Sequence, residues 1–309
     1  MGRRSHSPRF IKGGIVMKLS AMSPLKLKEA KLGMKLVTPT VLLIALLIIY
    51  PVLYNIYLSF FEVSISPTES NVFIGLQNYK NILTDPTFWI SFWKTIAFTV
   101  ITVVGSIILG LGAAILLNKE FPGRGLVRGL LLLPYVTPLI AIVFAWKYVL
   151  LPIDGPLVRL LASVNIMDPG TDIINNPNNS FLVVSFFNIW RNFPFIYLMM
   201  LSRLQSIPSD YYEAAEMDGA TGWQKFWNIT LPELYFVIGS VALLRGIWNF
   251  YKFDEVYLLS KFAGTLPIYI YEKAFAGLPE QGVAASIATL LFVFMIVLIG
   301  VYVKKVLKW

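Results

Sequence analysis

Read as apolar against polar positions, the chain alternates long hydrophobic runs with short polar connections. A helix needs about 20 apolar residues to cross the hydrocarbon core of a bilayer. Six runs meet that length: residues 36–61, 92–118, 126–151, 181–204, 234–251 and 283–303. None shows the strict alternation of a barrel strand, and an open strand leaves its backbone unpaired in lipid, so the runs predict helices. The expected fold class is an all-α integral membrane protein with six transmembrane helices. Residues 1–35 form a polar, basic tail, residues 36–309 the membrane domain, and the connection at 205–232 is its most structured loop.

Composition narrows the class. The chain is 57% hydrophobic and 14% charged, against about 25% charged in soluble domains. It has no cysteine, and its one histidine, His6, lies in the tail. Disulfide frameworks, thiol chemistry and histidine-based metal or acid–base sites are thereby excluded. The net charge of +9 is an orientation signal. With the N-terminus in the cytoplasm, seventeen of the 26 lysines and arginines lie inside, six outside, and Lys147, Arg191 and Arg245 within the runs. That bias places both termini in the cytoplasm. It suits contact with anionic lipid heads and calls for no nucleic-acid partner. The first apolar run is too long for a cleaved leader and no small-residue cleavage site follows it. Residues 1–16 lack a helical period, and Met17 is an alternative start to Met1, since Lys12-Gly13-Gly14 can be encoded by a purine-rich stretch like a ribosome-binding site.

The 205–232 loop is unusual between two apolar walls. Ser209 follows Pro208 and reads as a helix cap, with Asp210 and Glu213 early in the helix where acids complement its dipole. Asp218-Gly219 reads as a stop, because glycine tolerates the left-handed conformation that ends helices. Residues 222–229 predict a second short helix with Trp223, Phe226 and Trp227 along one side, and Pro232 suits the first turn of the fifth run. Anionic lipids repel acidic residues at a cytoplasmic face. The loop therefore reads as a docking surface for a soluble partner rather than an interfacial anchor.

Polar groups inside the membrane are expensive and face a cavity or a partner. The fourth run carries Asn188, Trp190, Arg191, Asn192 and Phe195, with Pro194 predicting a kink. The fifth carries Arg245, Trp248 and Asn249. Aromatic faces beside amides suit sugars. A stand-alone secondary transporter needs an ion relay at membrane depth, and the six runs hold no Asp, Glu or His. A membrane-embedded enzyme lacks catalytic groups for the same reason. The chain has no GxxxxGK[ST] phosphate loop, so any ATP-driven step requires another subunit.

The residues Glu213-Ala214-Ala215, Asp218-Gly219-Ala220, Phe226 and Ile229-Thr230-Leu231-Pro232 resemble the EAA signature of permease subunits in ATP-binding-cassette importers. Residues Ile74-Gly75-Leu76-Gln77-Asn78-Tyr79, followed by Asp85-Pro86 and Phe88-Trp89, are similar to the first outside loop of maltose-type carbohydrate permeases. Tyr50-Pro51, Leu133-Pro134-Tyr135 and Phe253-Asp254 fit the same family, over residues 36 to the end. The resemblance implies a type I importer permease fold in a prokaryotic inner membrane, as a non-catalytic subunit for di- or oligosaccharide import. It implies a second permease as heterodimer partner, two ATPase subunits holding ATP and magnesium, an extracellular solute-binding protein, and no cofactor on this chain. Glu213, Ala214, Ala215, Asp218, Gly219 and Ala220 would form the coupling helix. Asn188, Arg191, Asn192, Phe195, Arg245, Trp248 and Asn249 would line the substrate path. Arg191 and Arg245 depart from the uncharged site of the maltose type. They suggest binding of an acidic sugar, a sugar phosphate, glycerol phosphate or another anionic polyol, or else pairing with Asp254, Glu255 or the second permease. Residues 260–264 also depart, where many members have a Gly-Gly-Pro turn.

Overall fold

The computed structural model describes residues 24–66, 68–168 and 170–307. Most of the basic tail and the alternative start at Met17 lie outside them. The described chain falls into two units, one ending at Tyr57 and one beginning at Leu58.

The first unit is helical. Pro24–Ile44, a five-residue π-helical turn and Tyr50–Leu58 follow one another, so the first apolar run is helical from well before residue 36. Its Leu, Ile and Val side chains are exposed along the length. Tyr50, Tyr54 and Tyr57 stack in turn at 6.1 and 6.2 Å between ring centroids.

The second unit carries the remaining spans. Pro86–Asn118 is the second, Ser180–Leu204 the fourth, Gly222–Phe250 the fifth and Gln281–Lys305 the sixth. The third apolar run is not one straight helix. Arg124–Val136 and Leu139–Val149 meet at a 94° bend, at Thr137-Pro138. Pro138 has no N–H, so it cannot return the helical hydrogen bond to the Pro134 carbonyl. The fourth span runs helically through Pro194.

The second and fourth spans pack closely because their contact face is small. A Cβ on Gly110 would lie 2.8 Å from Ile196 Cγ2 and 3.0 Å from the Tyr197 amide nitrogen. A Cβ on Gly105 would meet Ile189. Small residues let membrane helices approach and gain dispersion contacts. Ala114, Leu117, Ile196, Tyr197, Met200 and Leu204 continue this core, and Leu234 and Val241 of the fifth span close it. Gly110→Val is expected to lower stability by about 1–3 kcal/mol through overpacking, read by thermal unfolding in detergent. Gly112→Val, whose Cβ meets nothing within 4 Å, is the matched control and should leave the transition nearly unmoved.

The outside loop explains the Ile74–Tyr79 pattern. Strands β1 (Phe61–Glu62) and β2 (Val72–Phe73) form an antiparallel hairpin with Phe61 opposite Phe73. Gly75 has φ +59°. Asn78 is buried and its Nδ2 donates to the Ser59 and Phe61 carbonyls, both at 3.0 Å. Asp85 caps the second span by accepting from the Thr87 amide at 2.8 Å, and the Tyr269 hydroxyl donates to its other oxygen. Burial opposes ionisation of Asp85, but these two donors win and hold its carboxyl below the usual range.

Candidate functional site

The 205–232 loop is one helix and one corner, built onto the fifth span. Residues Ser209–Met217 form the helix. Pro208 occupies the cap position and Ser209 is the first helical residue, so the expected serine cap is absent. Gly219 has φ +77°. The Gly219 amide donates to the Glu216 carbonyl and the Ala220 amide to the Ala215 carbonyl, both at 2.9 Å. This is a Schellman closure, in which a left-handed residue lets the chain satisfy the last carbonyls of the helix. It gives Ala215, Gly219 and Ala220 a shared structural role.

The predicted second helix is not separate. Thr221 and Gln224 form a capping box at Gly222–Lys225, which runs through a π-helical turn at Phe226–Thr230 into Leu231–Phe250. Once Thr221 caps the chain, nothing between Lys225 and Leu231 breaks it, and the helix continues through Pro232 directly after the π-helical turn. Two ties fasten the loop helix to this stem. Tyr212 Oη and Thr230 Oγ1 are 3.0 Å apart, and Lys225 forms an ion pair with Glu216. Arg203 at the end of the fourth span pairs with Glu233 and donates to its carbonyl. Glu213, Ala214, Met217, Asp218 and Gly219 remain exposed. Tyr212 packs against the core beneath.

The polar residues within the membrane separate into two groups. Arg191, Asn192, Phe195, Arg245 and Trp248 come together. Arg191 Nε donates to Glu255 at 3.1 Å, and its Nη1 to the Pro134 and Thr137 carbonyls at 3.1 and 3.2 Å. Arg191 thus supplies the hydrogen bond that Pro138 cannot. Lys252 Nζ donates to the other Glu255 oxygen at 2.8 Å. Burial holds the Lys252 ammonium below its ordinary range, and Glu255 only partly offsets this.

Arg245 is 3% exposed. Its Nη1 donates to Asn192 Oδ1 at 2.9 Å. Its guanidinium carbon lies 4.5, 5.1 and 5.5 Å from the ring centroids of Phe195, Trp248 and Tyr135. Asn188 and Asn249 lie apart from this cluster in their contacts. Asn188 Nδ2 bonds to the Val184 carbonyl of its own helix, and Asn249 Nδ2 to Thr102 Oγ1 of the second span at 2.8 Å. Both are buried. Lys252, at the outer end of the fifth run, joins the cluster, and Tyr135 completes it without having been singled out for it. The paired prolines at Pro134 and Pro138 are the signal that brings Tyr135 toward Arg245, because they break the third run there.

Residues 106–308 match the family described as binding-protein-dependent transport system inner membrane component. The chain is 41% identical over 273 residues to the inner membrane ABC transporter permease protein YcjO of Escherichia coli (strain K12), covering 88% of this chain and 92% of that protein. It is 32% identical over 286 residues to the trehalose/maltose transport system permease protein MalF of Thermococcus litoralis, covering 91% and 96%. It is 33% identical over 289 residues to the sulfoquinovosyl glycerol transport system permease protein SmoG of Agrobacterium fabrum, covering 91% and 92%. Its backbone resembles a solved bacterial ABC transporter involved in import of the acidic polysaccharide alginate. The TM-score is 0.77 at 18% identity, over 92% of this chain and 97% of that one.

Proposed function

From the premise that this chain belongs to the family of binding-protein-dependent transport system inner membrane components, we propose how its parts serve sugar import. The chain is a multi-pass permease subunit of an ABC importer. Sugar is the transported class, a reading supported by the trehalose/maltose and sulfoquinovosyl glycerol permeases it resembles across some nine-tenths of its length.

The exposed loop helix carries the coupling assignment. It is tied to the fifth span by Tyr212–Thr230 and Glu216–Lys225, so a push on it is a push on a transmembrane helix. Glu213 and Asp218 present acid to a soluble partner. Glu213 offers a charge-assisted contact worth about 1.5–3 kcal/mol if desolvated there. Two ATPase subunits, holding ATP and magnesium, are the partners that fit this surface. The chain itself is non-catalytic in this assignment. A second permease completes the path and a solute-binding protein delivers the sugar.

The test is uptake of labelled trehalose and maltose into vesicles holding this chain, its second permease and the binding protein, with and without the ATPase subunits. Uptake is expected only when the ATPases and ATP are both present. Uptake without them would replace the importer by a solitary transporter.

A further inference from the structure

The charges at the bend do not balance. Glu255 is shared by Arg191 and Lys252, and the backbone carbonyls of Pro134 and Thr137 complete Arg191. Arg245 forms no ion pair: its Nη1 donates to the neutral Asn192 oxygen, the Tyr135 hydroxyl and the Glu255 carboxylate attract it from beyond ion-pair contact, and its Nε and Nη2 are buried without a hydrogen-bond partner. A buried cation lacking a counter-charge is costly. Aromatic rings stabilise the faces of a guanidinium, and three of them surround this one, but they leave its in-plane donors unused. Nε and Nη2 form one edge of the guanidinium, the fork that takes a carboxylate or phosphate through two parallel hydrogen bonds. Trp248, which is half-exposed, and Phe195 are rings on which the apolar face of a sugar can stack.

We propose that Arg245 anchors an acidic group, carboxylate or phosphate, on the transported sugar, with Phe195 and Trp248 stacking against the adjoining ring. This rests on the sugar-permease reading above and names the substrate class. Arg191 is set aside as the anion site, because its Nε and Nη1 are already engaged by Glu255 and by the Pro134 and Thr137 carbonyls. In the conformation described, the fork is shut from solvent, so the acid enters when the rings part. The rings then serve as the lid of the site as well as its walls.

The assay uses the full complex of both permeases and the ATPases in nanodiscs, without binding protein, so that discrimination is read at the permease. Probes are trehalose, a glucuronate-terminated disaccharide, trehalose 6-phosphate and glycerol phosphate. One of the acidic sugars is expected to bind about ten- to a hundredfold more tightly than trehalose, and the preferred probe separates carboxylate from phosphate. Arg245→Gln should erase the preference, bringing the ratio of acidic-sugar to trehalose affinity to about one, and Arg245→Lys should retain part of it. Equal binding of neutral and acidic sugars to the unsubstituted complex overturns the assignment, as does preference surviving Arg245→Gln. Preference for glycerol phosphate over both acidic sugars also overturns it, since the ring contacts would then be idle. If Arg245→Gln instead dissociates the two permeases, the counter-charge belongs to the second subunit and the assignment fails. ATP-dependent uptake of trehalose or maltose in parallel vesicles keeps these failures apart from failure of the importer reading.

Discussion

Gly219→Val is expected to abolish ATP-dependent uptake while leaving the chain inserted and folded. Gly219 stands at φ +77°, where a side chain strains the backbone by about 1–2 kcal/mol, and a β-branched one most. Relief of that strain would open the two bonds from the Gly219 and Ala220 amides that finish the loop helix. Glu213 and Asp218 would then lose their fixed spacing. A Cβ at Gly219 meets nothing within 4 Å in this chain, so the membrane core has no reason to respond. Thermal unfolding should fall little, whereas uptake falls more than about tenfold, because coupling depends on geometry held within about half an ångström. Gly219→Asn separates the causes, since asparagine tolerates the left-handed region. Retained uptake in Gly219→Asn with loss in Gly219→Val identifies backbone conformation as the requirement. Equal loss in both indicates that the partner's groove has no room for any side chain. Full uptake in Gly219→Val removes the corner from the coupling mechanism.

The sequence revealed what short-range chemistry decides. Six apolar runs, the Gly219 corner and the projection of acids at 213 and 218 follow from composition, length and left-handed tolerance. The third run looked continuous because hydropathy does not register the lost hydrogen bond at Pro138. Its neighbours Thr137 and Pro134 were readable as a break only together. The helix at 222–229 reads as isolated because Pro232 suits a helix start, whereas Thr221 caps eleven residues earlier and the helix passes from the π-helical turn at Phe226–Thr230 through Pro232 without a break. Ser209 is not the cap because the helix begins one residue earlier than expected, with Pro208 at the cap position and no side-chain cap bond. Pairing of a membrane arginine with Glu255 is among the readings the sequence offers, and the structure bears it out for Arg191 and not for Arg245. Arg191 and Glu255 are 64 positions apart, and the packing of the short helix Asp254–Leu259 against the fourth span brings them together. Arg245 offered the same signal as Arg191 in the sequence, a lone cation in an apolar run. The structure separates them by giving one a carboxylate and the other three aromatic rings.

Glu255→Gln is expected to be the most destabilising single substitution at the polar cluster. The Glu255 carboxylate accepts from Arg191 at 3.1 Å and Lys252 at 2.8 Å, and all three side chains are less than 15% exposed. Removing its charge leaves two buried cations beside a third, Arg245, which makes no ion pair among the described residues and feels Glu255 only at longer range. Breaking a buried pair by deleting one partner typically costs about 3–5 kcal/mol, much of it the desolvation of the charge left behind. The consequence extends past stability. Arg191 also holds the Pro134 and Thr137 carbonyls at the 94° bend, so release of its Nε frees the guanidinium that braces the turn, and uptake should fall with the unfolding temperature. Compensation distinguishes this from simple loss of packing. Lys252→Met placed on Glu255→Gln should recover part of the lost stability, because it removes a stranded cation, whereas Lys252→Met alone leaves Arg191 and Glu255 paired. A double-mutant cycle on these two positions should give a coupling of about 0.5–3 kcal/mol. Strict additivity, or a loss below about 1 kcal/mol in Glu255→Gln, would mean that water already screens the carboxylate and that the bend is held by Pro138 and local packing alone.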